Sequence, residues 1–427
     1  MYLFYSLLVA CAAVLLLPWI AIQMLRTGKY RAGIKERLGL VPKRLQTAQN
    51  SIWVHAVSVG EVLAVSRLIT ELQSANPETR IFISTTTATG QALARERFGE
   101  ARCFFMPLDF GFAVRAYLRA LKPRLLVLAE TEFWPNLLHL AKKHGTVIAV
   151  VNARISDRSF PRYRRFDWFF RRVLSNIDLF LAQTAADADR LRAIGAPTER
   201  VRVSGNLKFD IRLSAPSQIV HDLHSAIPKD SPVIVCGSTA EGEEEFVLKA
   251  FEQVQRQFPS AVMILAPRHP ERFNKVAGLI SSSGIAFIRR SSWPAACPIS
   301  GGVFLLDSVG ELASIYALAD IAFVGGSLVP TGGHNILEPA QYGSAIVVGP
   351  HTFNFREIVS IFQSGDALRL AEAENLGQVF MDLLSNSEER RLLGQRAKEL
   401  FTKYAGATQR TLQALRPLIA KRNAVGQ

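Results

Sequence analysis

The sequence predicts two consecutive α/β domains, each built on a parallel β-sheet, and an apolar segment ahead of them. Short apolar runs alternate with helical stretches, which is typical of buried parallel strands covered by helices. The alternation stops in a polar, proline-containing stretch after Asn206 and restarts near residue 233. The chain has 427 residues, more than one core usually supports. We assign residues 1–25 to an anchor, 26–210 and 233–427 to the domains, and 211–232 to a linker.

Thirteen apolar runs have the length and composition of strands. In the first domain they are residues 52–56, 81–84, 103–106, 125–129, 147–151, 179–182 and 201–203. In the second domain they are residues 233–236, 262–265, 286–289, 303–306, 321–324 and 345–348. Ligands of such sheets bind at the carboxyl ends of the strands, so we expect an active site in a cleft between the two domains.

The first 25 residues differ from the rest because Tyr2 to Leu25 carry no charge. A helix of this length, at 1.5 Å per residue, can cross a hydrocarbon core of about 30 Å. Basic residues follow the segment and none precedes it, which argues against a cleaved signal peptide and for cytoplasmic domains. An amphipathic helix packed on the protein would show a polar stripe, which this segment lacks. We therefore expect one N-terminal membrane anchor, with the rest of the chain in the cytoplasm.

The formal net charge is +14. In addition to the basic residues that follow the apolar segment, a second group of basic residues lies between positions 154 and 172. Its arginines are 154, 158, 162, 164, 165, 171 and 172, interleaved with Phe160, Tyr163, Phe166, Trp168, Phe169 and Phe170. Basic and aromatic residues together can bind nucleic acid. Beside a membrane anchor they favour anionic headgroups or a phosphorylated lipid, and we expect no nucleic acid. An ordinary amphipathic helix with solvated arginines explains them equally well.

Several common sites are missing from the sequence. There is no GxGxxG after a strand and no GxxxxGK[ST], which argues against a dehydrogenase and a P-loop NTPase. The four cysteines lack CxxC spacing and fit reduced thiols. One DxD, Asp187-Ala-Asp189, falls in a helical run and is interpreted as solvated surface rather than a manganese site. We predict no metal.

Glu61 is the first catalytic candidate. It ends His55-Ala-Val-Ser-Val-Gly-Glu61, which follows a strand and opens a helix. Ser58 and Glu61 have the spacing of a capping box, and the pattern alone favours that structural role. A glutamate at this edge of the sheet also suits a general base for a hydroxyl group.

Two segments of the second domain suit an anion. Ser238 and Thr239 follow a strand and offer hydroxyl and amide groups, and the glutamates that follow, 243 to 245, fit the dipole of a first helical turn. Arg268 and His269 follow the next strand, where a guanidinium can hold a phosphate through its fork of donors.

The third segment, residues 324–338, is rich in glycine and leads into a helix predicted to begin near Ile336. Backbone amides of such a loop bind anions, and Glu338, one turn into the helix, suits a pair of ribose hydroxyls. A flexible loop before a core-facing helix is the simpler explanation. So many specialised residues within fifteen positions favour the ligand site.

Five segments together resemble the 3-deoxy-D-manno-octulosonic acid (Kdo) transferases of lipopolysaccharide biosynthesis. They are His55 to Glu61, Glu130-Thr-Glu-Phe-Trp-Pro-Asn136, Gly205-Asn-Leu-Lys-Phe-Asp210, Pro267-Arg-His-Pro-Glu-Arg272 and Gly332-Gly-His-Asn-Ile-Leu-Glu338. They occur in the order typical of the family, and the resemblance extends from the N-terminal segment to about residue 400.

The resemblance implies a GT-B fold, two Rossmann-like domains facing a central cleft. It implies CMP-Kdo as donor, the tetraacyl-disaccharide 1,4'-bisphosphate precursor of lipid A as acceptor, inversion at the anomeric carbon, and no metal or other cofactor. Glu61 would be the general base, with Arg268 and His269 at the CMP phosphate. The cytidine and ribose would be held by Val309, Gly310, Glu311, Asn335, Ile336, Leu337 and Glu338. From its charge, Lys208 is expected to face the carboxylate of the donor.

Two rival hypotheses stay open at this point. One is a GT-B enzyme that uses a UDP-sugar, which donor turnover would distinguish. The other is a membrane-tethered lipid-binding scaffold, which would be indifferent to Glu61→Gln. The sequence leaves open the number of Kdo residues added, the acyl-chain preference and the oligomeric state.

Overall fold

The computed structural model describes Tyr2, residues 4–11, 14, 15, 32–46, 50–157, 159–210, 217–294 and 297–420. The chain forms two compact units. The first unit contains the chain up to Asp210 and a returning segment that begins at Ala405, and the second runs from Ile211 to Tyr404. The second unit is therefore continuous in sequence, whereas the first is not.

A seven-stranded parallel sheet organises the first unit, with strand order β3-β2-β1-β4-β5-β6-β7. Its strands are β1 (Ser51–His55), β2 (Ile81–Thr85), β3 (Cys103–Phe105), β4 (Pro123–Ala129), β5 (Val147–Ala153), β6 (Leu179–Ala182) and β7 (Val201–Val203). The helices between and around them are Ile34–Arg37, Val59–Ala75, Ala88–Phe98, Gly111–Leu121, Pro135–Lys143, Phe160–Arg165, Asp167–Leu174 and Ala185–Ala193.

The second unit repeats this plan with strand order β10-β11-β9-β8-β12-β13-β14, again all parallel. Its strands are β8 (Val233–Thr239), β9 (Val262–Pro267), β10 (Phe287–Arg289), β11 (Gly302–Leu305), β12 (Ile321–Val324), β13 (Ala345–Val348) and β14 (Arg369–Leu370). Its helices are Gln218–Ala226, Glu243–Gln257, Phe273–Ser283, Leu312–Ile315, Leu337–Tyr342, Arg356–Ser364, Leu376–Ser385 and Ser387–Tyr404.

Each sheet has a buried core on both of its faces. In β1, Trp53 packs into one cluster of the first unit, whereas Ile52 and Val54 pack into the other. Successive side chains of a strand point to opposite faces, so a strand covered on both sides must be apolar throughout. This is why continuous apolar runs, rather than alternating ones, marked the strands.

All thirteen predicted strands are confirmed, with small changes at their ends. The two-residue strand β14 was missed because it contains no apolar run: Arg369 is charged, and Leu370 is exposed.

The domain limits differ from the prediction at two places. Part of the predicted linker, 211–232, forms helix Gln218–Ala226, which belongs to the second unit. The end of the predicted second domain, 233–427, also lies elsewhere, because helix Ala407–Ala420 belongs to the first unit. Its side chains Ala407, Leu412, Leu415 and Ile419 pack into the core that Ile52 and Val54 share.

The described N-terminal residues lie against the first unit. The ring of Tyr2 stacks on His139 with 3.8 Å between ring centroids, and the Ser6 hydroxyl bonds the side chain of Asn136 at 3.2 Å. Other side chains of the segment are exposed, among them Phe4, Leu7, Leu8, Val14 and Leu15. Within the part of the chain described, no helix combines the length and apolar character needed to span a bilayer. Much of the predicted anchor, including residues 16–25, lies outside the described residues.

Candidate functional site

The predicted functional segments follow neighbouring strands at the carboxyl edge of each sheet. In the first unit the strand order reverses between β1 and β4, and Glu61 and Glu130 follow these two strands. In the second unit it reverses between β8 and β12, and Ser238 and the glycine-rich segment lie at their ends. A reversal of strand order leaves a crevice between diverging loops, which is where open α/β sheets bind ligands.

Glu61 lies in the first turn of helix Val59–Ala75 and is held by two hydrogen bonds. The Val57 amide donates to its Oε2 at 2.7 Å, and the Ser58 hydroxyl donates to its Oε1 at 3.1 Å. Ser58 is the N-cap residue, but its side chain makes no capping bond to the backbone. The predicted capping box is therefore not formed: Glu61 reaches back to the amide of Val57, one residue before the N-cap, and the Ser58 hydroxyl orients the carboxylate instead of capping the helix.

The electrostatic surroundings of Glu61 suit a base. Burial raises the pKa of Glu61 from 4.5 to about 7, opposed by the hydrogen bond from Val57 and reinforced by the negative charges of Glu130 and Glu132. Burial likewise raises the pKa of Glu132, whose Oε2 accepts a hydrogen bond from the Trp134 indole at 3.0 Å. A carboxyl group with a pKa near 7 can both accept and release a proton at neutral pH.

Glu130 occupies a strained position directly after β4. Its φ of 55° lies in the left-handed region, which costs a non-glycine residue energy and is most often retained at functional sites. Its carboxylate forms an ion pair with Lys208 at 3.4 Å. Lys208 lies in a short turn that two asparagine side chains hold in place. The Leu207 amide donates to the side chain of Asn152 at 2.9 Å, and the Lys208 amide donates to the side chain of Asn206 at 2.9 Å. The first unit thus brings Glu61, Glu130 and Lys208 to one edge of its sheet.

The second unit gathers segments from four adjacent strands, β11, β9, β8 and β12. Arg268 follows β9 and is exposed. Its positive charge lowers the pKa of both His334 and Glu338, although burial has the larger effect on each and raises the pKa of Glu338. His269 adds to the lowering at His334, whose pKa falls to about 4. These four groups therefore lie near one another in one cluster, in which Arg268 supplies a positive charge suited to an anion.

Next to this cluster are the remaining predicted donor-site residues. The side-chain amide of Asn335 donates a hydrogen bond to the Glu338 carboxylate at 3.3 Å and accepts one from the Leu337 amide at 3.2 Å. The segment is therefore ordered by its own side chains. The side chains of Ile336 and Leu337 are buried in the core, which leaves only their backbone for a ligand. Helix formation begins at Leu337, one residue later than predicted.

Two further predicted segments flank this region. Ser238 has a φ of 56°, a second strained non-glycine residue at a strand end, and the Thr239 hydroxyl donates to Glu244 at 2.9 Å. In the segment after β11, the Glu311 carboxylate forms an ion pair with Arg290 at 3.3 Å. The two residues before Glu311 are Val309, which is exposed, and Gly310, which has a φ of 91°.

The DxD segment has a structural role that the sequence interpretation missed. Asp187 is buried and accepts from the Ile155 amide at 3.0 Å, so it is not solvated, whereas Asp189 is exposed and pairs with Arg192. Among the described residues, no group of three or more histidine, cysteine, aspartate or glutamate side chains could hold a metal ion.

The sequence predicted no part in the site for two residues that the structure links to it, His334 and Glu243. His334 was named only as a member of the segment Gly332 to Glu338, and its distance from Arg268 in the sequence hides the electrostatic interaction between them. Glu243 was interpreted as complementing a helix dipole, but it binds backbone amides of the segment after β12. No local pattern indicates that contact, because its partners lie more than 80 positions away.

The chain is similar to characterised proteins over nearly its whole length. A family model described as 3-deoxy-D-manno-octulosonic-acid transferase (kdotransferase) matches residues 32–211. The 3-deoxy-D-manno-octulosonic acid transferase of Haemophilus influenzae is 34% identical over 98% of this chain and 99% of that protein. That of Bordetella pertussis is 36% identical over 85% of this chain and 86% of its own.

A solved structure extends the similarity to the fold. MurG of Acinetobacter baumannii matches with a TM-score of 0.53 at 12% identity, covering 87% of this chain and 100% of that one. At this identity the match speaks for the fold alone, two Rossmann-like domains with parallel sheets.

Proposed function

Since the chain belongs to the 3-deoxy-D-manno-octulosonic acid transferases, glycosyltransferases of lipopolysaccharide biosynthesis, we propose that it transfers Kdo from CMP-Kdo to the lipid A precursor and releases CMP. Family membership excludes the non-enzymatic scaffold considered above. The observation that carries the proposed chemistry is the position of Glu61 at the strand-order reversal, with its carboxylate oriented by Val57 and Ser58.

In the proposed reaction Glu61 is the general base of a single inverting displacement. It takes the proton from the acceptor hydroxyl as that oxygen bonds to the anomeric carbon of Kdo, and the bond from this carbon to the CMP phosphate oxygen breaks with its electron pair leaving on CMP. The raised pKa of Glu61, about 7, supports this role, because proton transfer is most effective when the base titrates near the working pH.

Charge development on the leaving CMP would be met by Arg268 and His269. CMP leaves as a monophosphate, so the proposal needs no metal to clamp a pyrophosphate. Ser238, Thr239, Val309, Gly310, Glu311 and residues 335–338 would bind the rest of the nucleotide. Lys208 pairs with Glu130 in the structure. Its ammonium is the proposed partner of the carboxylate of Kdo, with Glu130 holding it in place.

The surface of the first unit supports an anionic lipid as acceptor. Tyr163, Phe169 and Phe170 pack partly on the core, as the amphipathic-helix explanation requires, whereas Phe166 and Trp168 are exposed and free to contact a lipid. The five arginines of this surface at positions 162, 164, 165, 171 and 172 are exposed. Exposed apolar and cationic side chains together favour binding at a membrane of anionic lipids.

Product analysis tests the proposed function. Purified enzyme, CMP-Kdo and the tetraacyl-disaccharide 1,4'-bisphosphate precursor should yield CMP and a glycolipid heavier by Kdo residues in mass spectrometry. UDP-sugars supplied in place of CMP-Kdo serve as the control and should give no product. Transfer from a UDP-sugar at a comparable rate would contradict the donor assignment.

The raised pKa of Glu61 gives a prediction for pH dependence. Only the ionised carboxylate accepts a proton, so kcat/KM should rise about tenfold per pH unit below a pKa of about 7 and level off above it. The measurement is kcat/KM for transfer between pH 5 and pH 9 at fixed ionic strength. A flat profile across pH 6 to 8 would be inconsistent with Glu61 as the base.

We also propose that the N-terminal segment anchors the enzyme in the inner membrane, with both domains cytoplasmic. A variant that begins at Lys29 should become more soluble and keep its fold and part of its activity. Its Tm should fall slightly, because Tyr2 and Ser6 no longer pack on the first unit.

Fractionation of cells without detergent measures the effect. The full-length protein should sediment with membranes, and a full-length L7S/L8S variant, altered at two exposed positions, should sediment less while keeping the wild-type Tm. Full-length protein found entirely in the soluble fraction would rule out the anchor.

A further inference from the structure

The carboxylate of Glu243 is fully buried and is surrounded by backbone amides. Glu243 begins helix Glu243–Gln257, directly after the segment that follows β8. Its Oε2 accepts from Ala240 N at 2.7 Å and Gly326 N at 2.6 Å, and its Oε1 accepts from Ser327 N at 2.8 Å and Leu328 N at 2.8 Å. Hydrogen bonds to a carboxylate are roughly twice as strong as those between neutral groups, so this group fixes the backbone of residues 326–328.

The segment held in this way is built for close approach to Glu243. A Cβ atom at Gly325 would lie 2.7 Å from the Ser238 carbonyl oxygen and 2.9 Å from Glu243 Oε2, so only glycine fits. On the other side, the Ser327 hydroxyl donates to Val324 O at 2.6 Å and accepts from Gly349 N at 2.8 Å. Glu243 therefore ties the strand ends of β8 and β12 together.

The same segment supports His334. A Cβ atom at Gly326 would lie 2.8 Å from both Cδ2 and Nε2 of the His334 ring, and Gly333 N donates to Gly326 O at 2.6 Å. The backbone of Gly326 is thus the surface on which the imidazole rests. Because of these two contacts, a displacement of Gly326 is expected to displace His334 and the residues that follow it.

From this chain of contacts we propose that Glu243 is a positioning residue of the donor site. It holds residues 326–328 so that His334 and residues 335–338 face Arg268 in the arrangement that receives the CMP moiety, and it touches no ligand itself. The inference rests on the proposed function, because it takes this cluster as the CMP site.

The decisive variant is Glu243→Gln. A carboxamide offers one acceptor oxygen instead of two, so either orientation turns an N–H₂ group toward two backbone donors and releases part of the segment. We expect the Kd for CMP and the KM for CMP-Kdo to rise about tenfold, while kcat changes less than about threefold. Amide exchange of residues 326–328 should accelerate in the ligand-free protein.

Two control variants separate positioning from general destabilisation. Glu245→Gln removes an exposed charge from the same helical turn and should leave CMP affinity unchanged. Leu393→Ala creates a cavity in the core of the second unit, and should lower Tm while keeping CMP affinity. If Glu243→Gln does not fold, Gly326→Ala disturbs the same segment from the His334 side and should weaken CMP binding in the same way.

The outcomes are distinguishable. Weaker CMP binding and faster local exchange in Glu243→Gln, without either effect in the controls, support the inference. A lower Tm with wild-type CMP affinity and KM overturns it, provided that Arg268→Ala weakens CMP binding. If Arg268→Ala also leaves CMP binding unchanged, the proposed donor site itself is wrong.

Discussion

Replacing Glu61 by Gln is expected to lower Kdo transfer by about 100-fold to 10,000-fold, the usual cost of losing a general base. Gln can still accept the hydrogen bond from Val57 but cannot take a proton from the acceptor hydroxyl. The fold and CMP affinity should be retained, because Glu61 makes only two local hydrogen bonds. Transfer to the lipid A precursor, CMP titration and a thermal melt on one preparation measure all three. Glu71→Gln, on the same helix, is the matched control.

Thermal stability gives this experiment a second readout. The folded state binds the proton of Glu61 more tightly than the unfolded chain, since burial raises its pKa to about 7. The stabilisation is fully present below about pH 4.5 and is lost as pH rises through about 7. The Glu61→Gln variant has no carboxyl group at this position and does not lose stability in this way. The difference in Tm, variant minus wild type, should therefore increase between pH 5 and pH 8. Near-normal turnover would leave Glu61 a structural residue and make Glu130 and Glu132 the next candidates.

Replacing Arg268 by Ala is expected to weaken CMP binding by about 10-fold to 150-fold. This corresponds to the loss of a charge-assisted hydrogen bond worth about 1.5–3 kcal/mol. Arg268 is exposed, adds to the lowering of the pKa of His334 and opposes the burial that raises the pKa of Glu338. Its removal should therefore also change how these neighbours titrate. Isothermal titration calorimetry with CMP is the measurement.

Two further variants sharpen that test. Arg256→Ala removes an exposed charge from the same unit away from the cluster and should bind CMP as wild type does. Arg268→Lys keeps the charge but loses the fork of donors, so it should recover only part of the affinity. Unchanged CMP affinity in Arg268→Ala would remove Arg268 from the phosphate site.

The sequence predicted the strands well because every strand buried on both faces must be apolar. Residues 321–324 and 345–348 were identified to the residue for this reason. The positions of Glu61 and Arg268 at strand ends followed from the same pattern, since parallel strands present their carboxyl ends at one edge.

What the sequence could not reveal depends on contacts between distant residues. Asp187 appeared solvated because it stands in a polar helix, yet its partner Ile155 lies 32 positions earlier. Glu243 and Gly326 are 83 positions apart, and the Lys208–Glu130 pair 78. Helix Ala407–Ala420 was assigned to the wrong domain because its amphipathic pattern does not specify which core it covers.

The return of the chain to the first unit has a consequence for the order of folding during synthesis. Asp210 accepts hydrogen bonds from Gly406 N, at 2.6 Å, and from Thr408 N, so the residues where the chain leaves and re-enters the first unit are joined at one side chain. A nascent chain that has emerged as far as Tyr404 contains all of the second unit but lacks helix Ala407–Ala420. Although it begins earlier, the first unit can close its core only after helix Ala407–Ala420 has been translated, so the second unit is the one free to fold first.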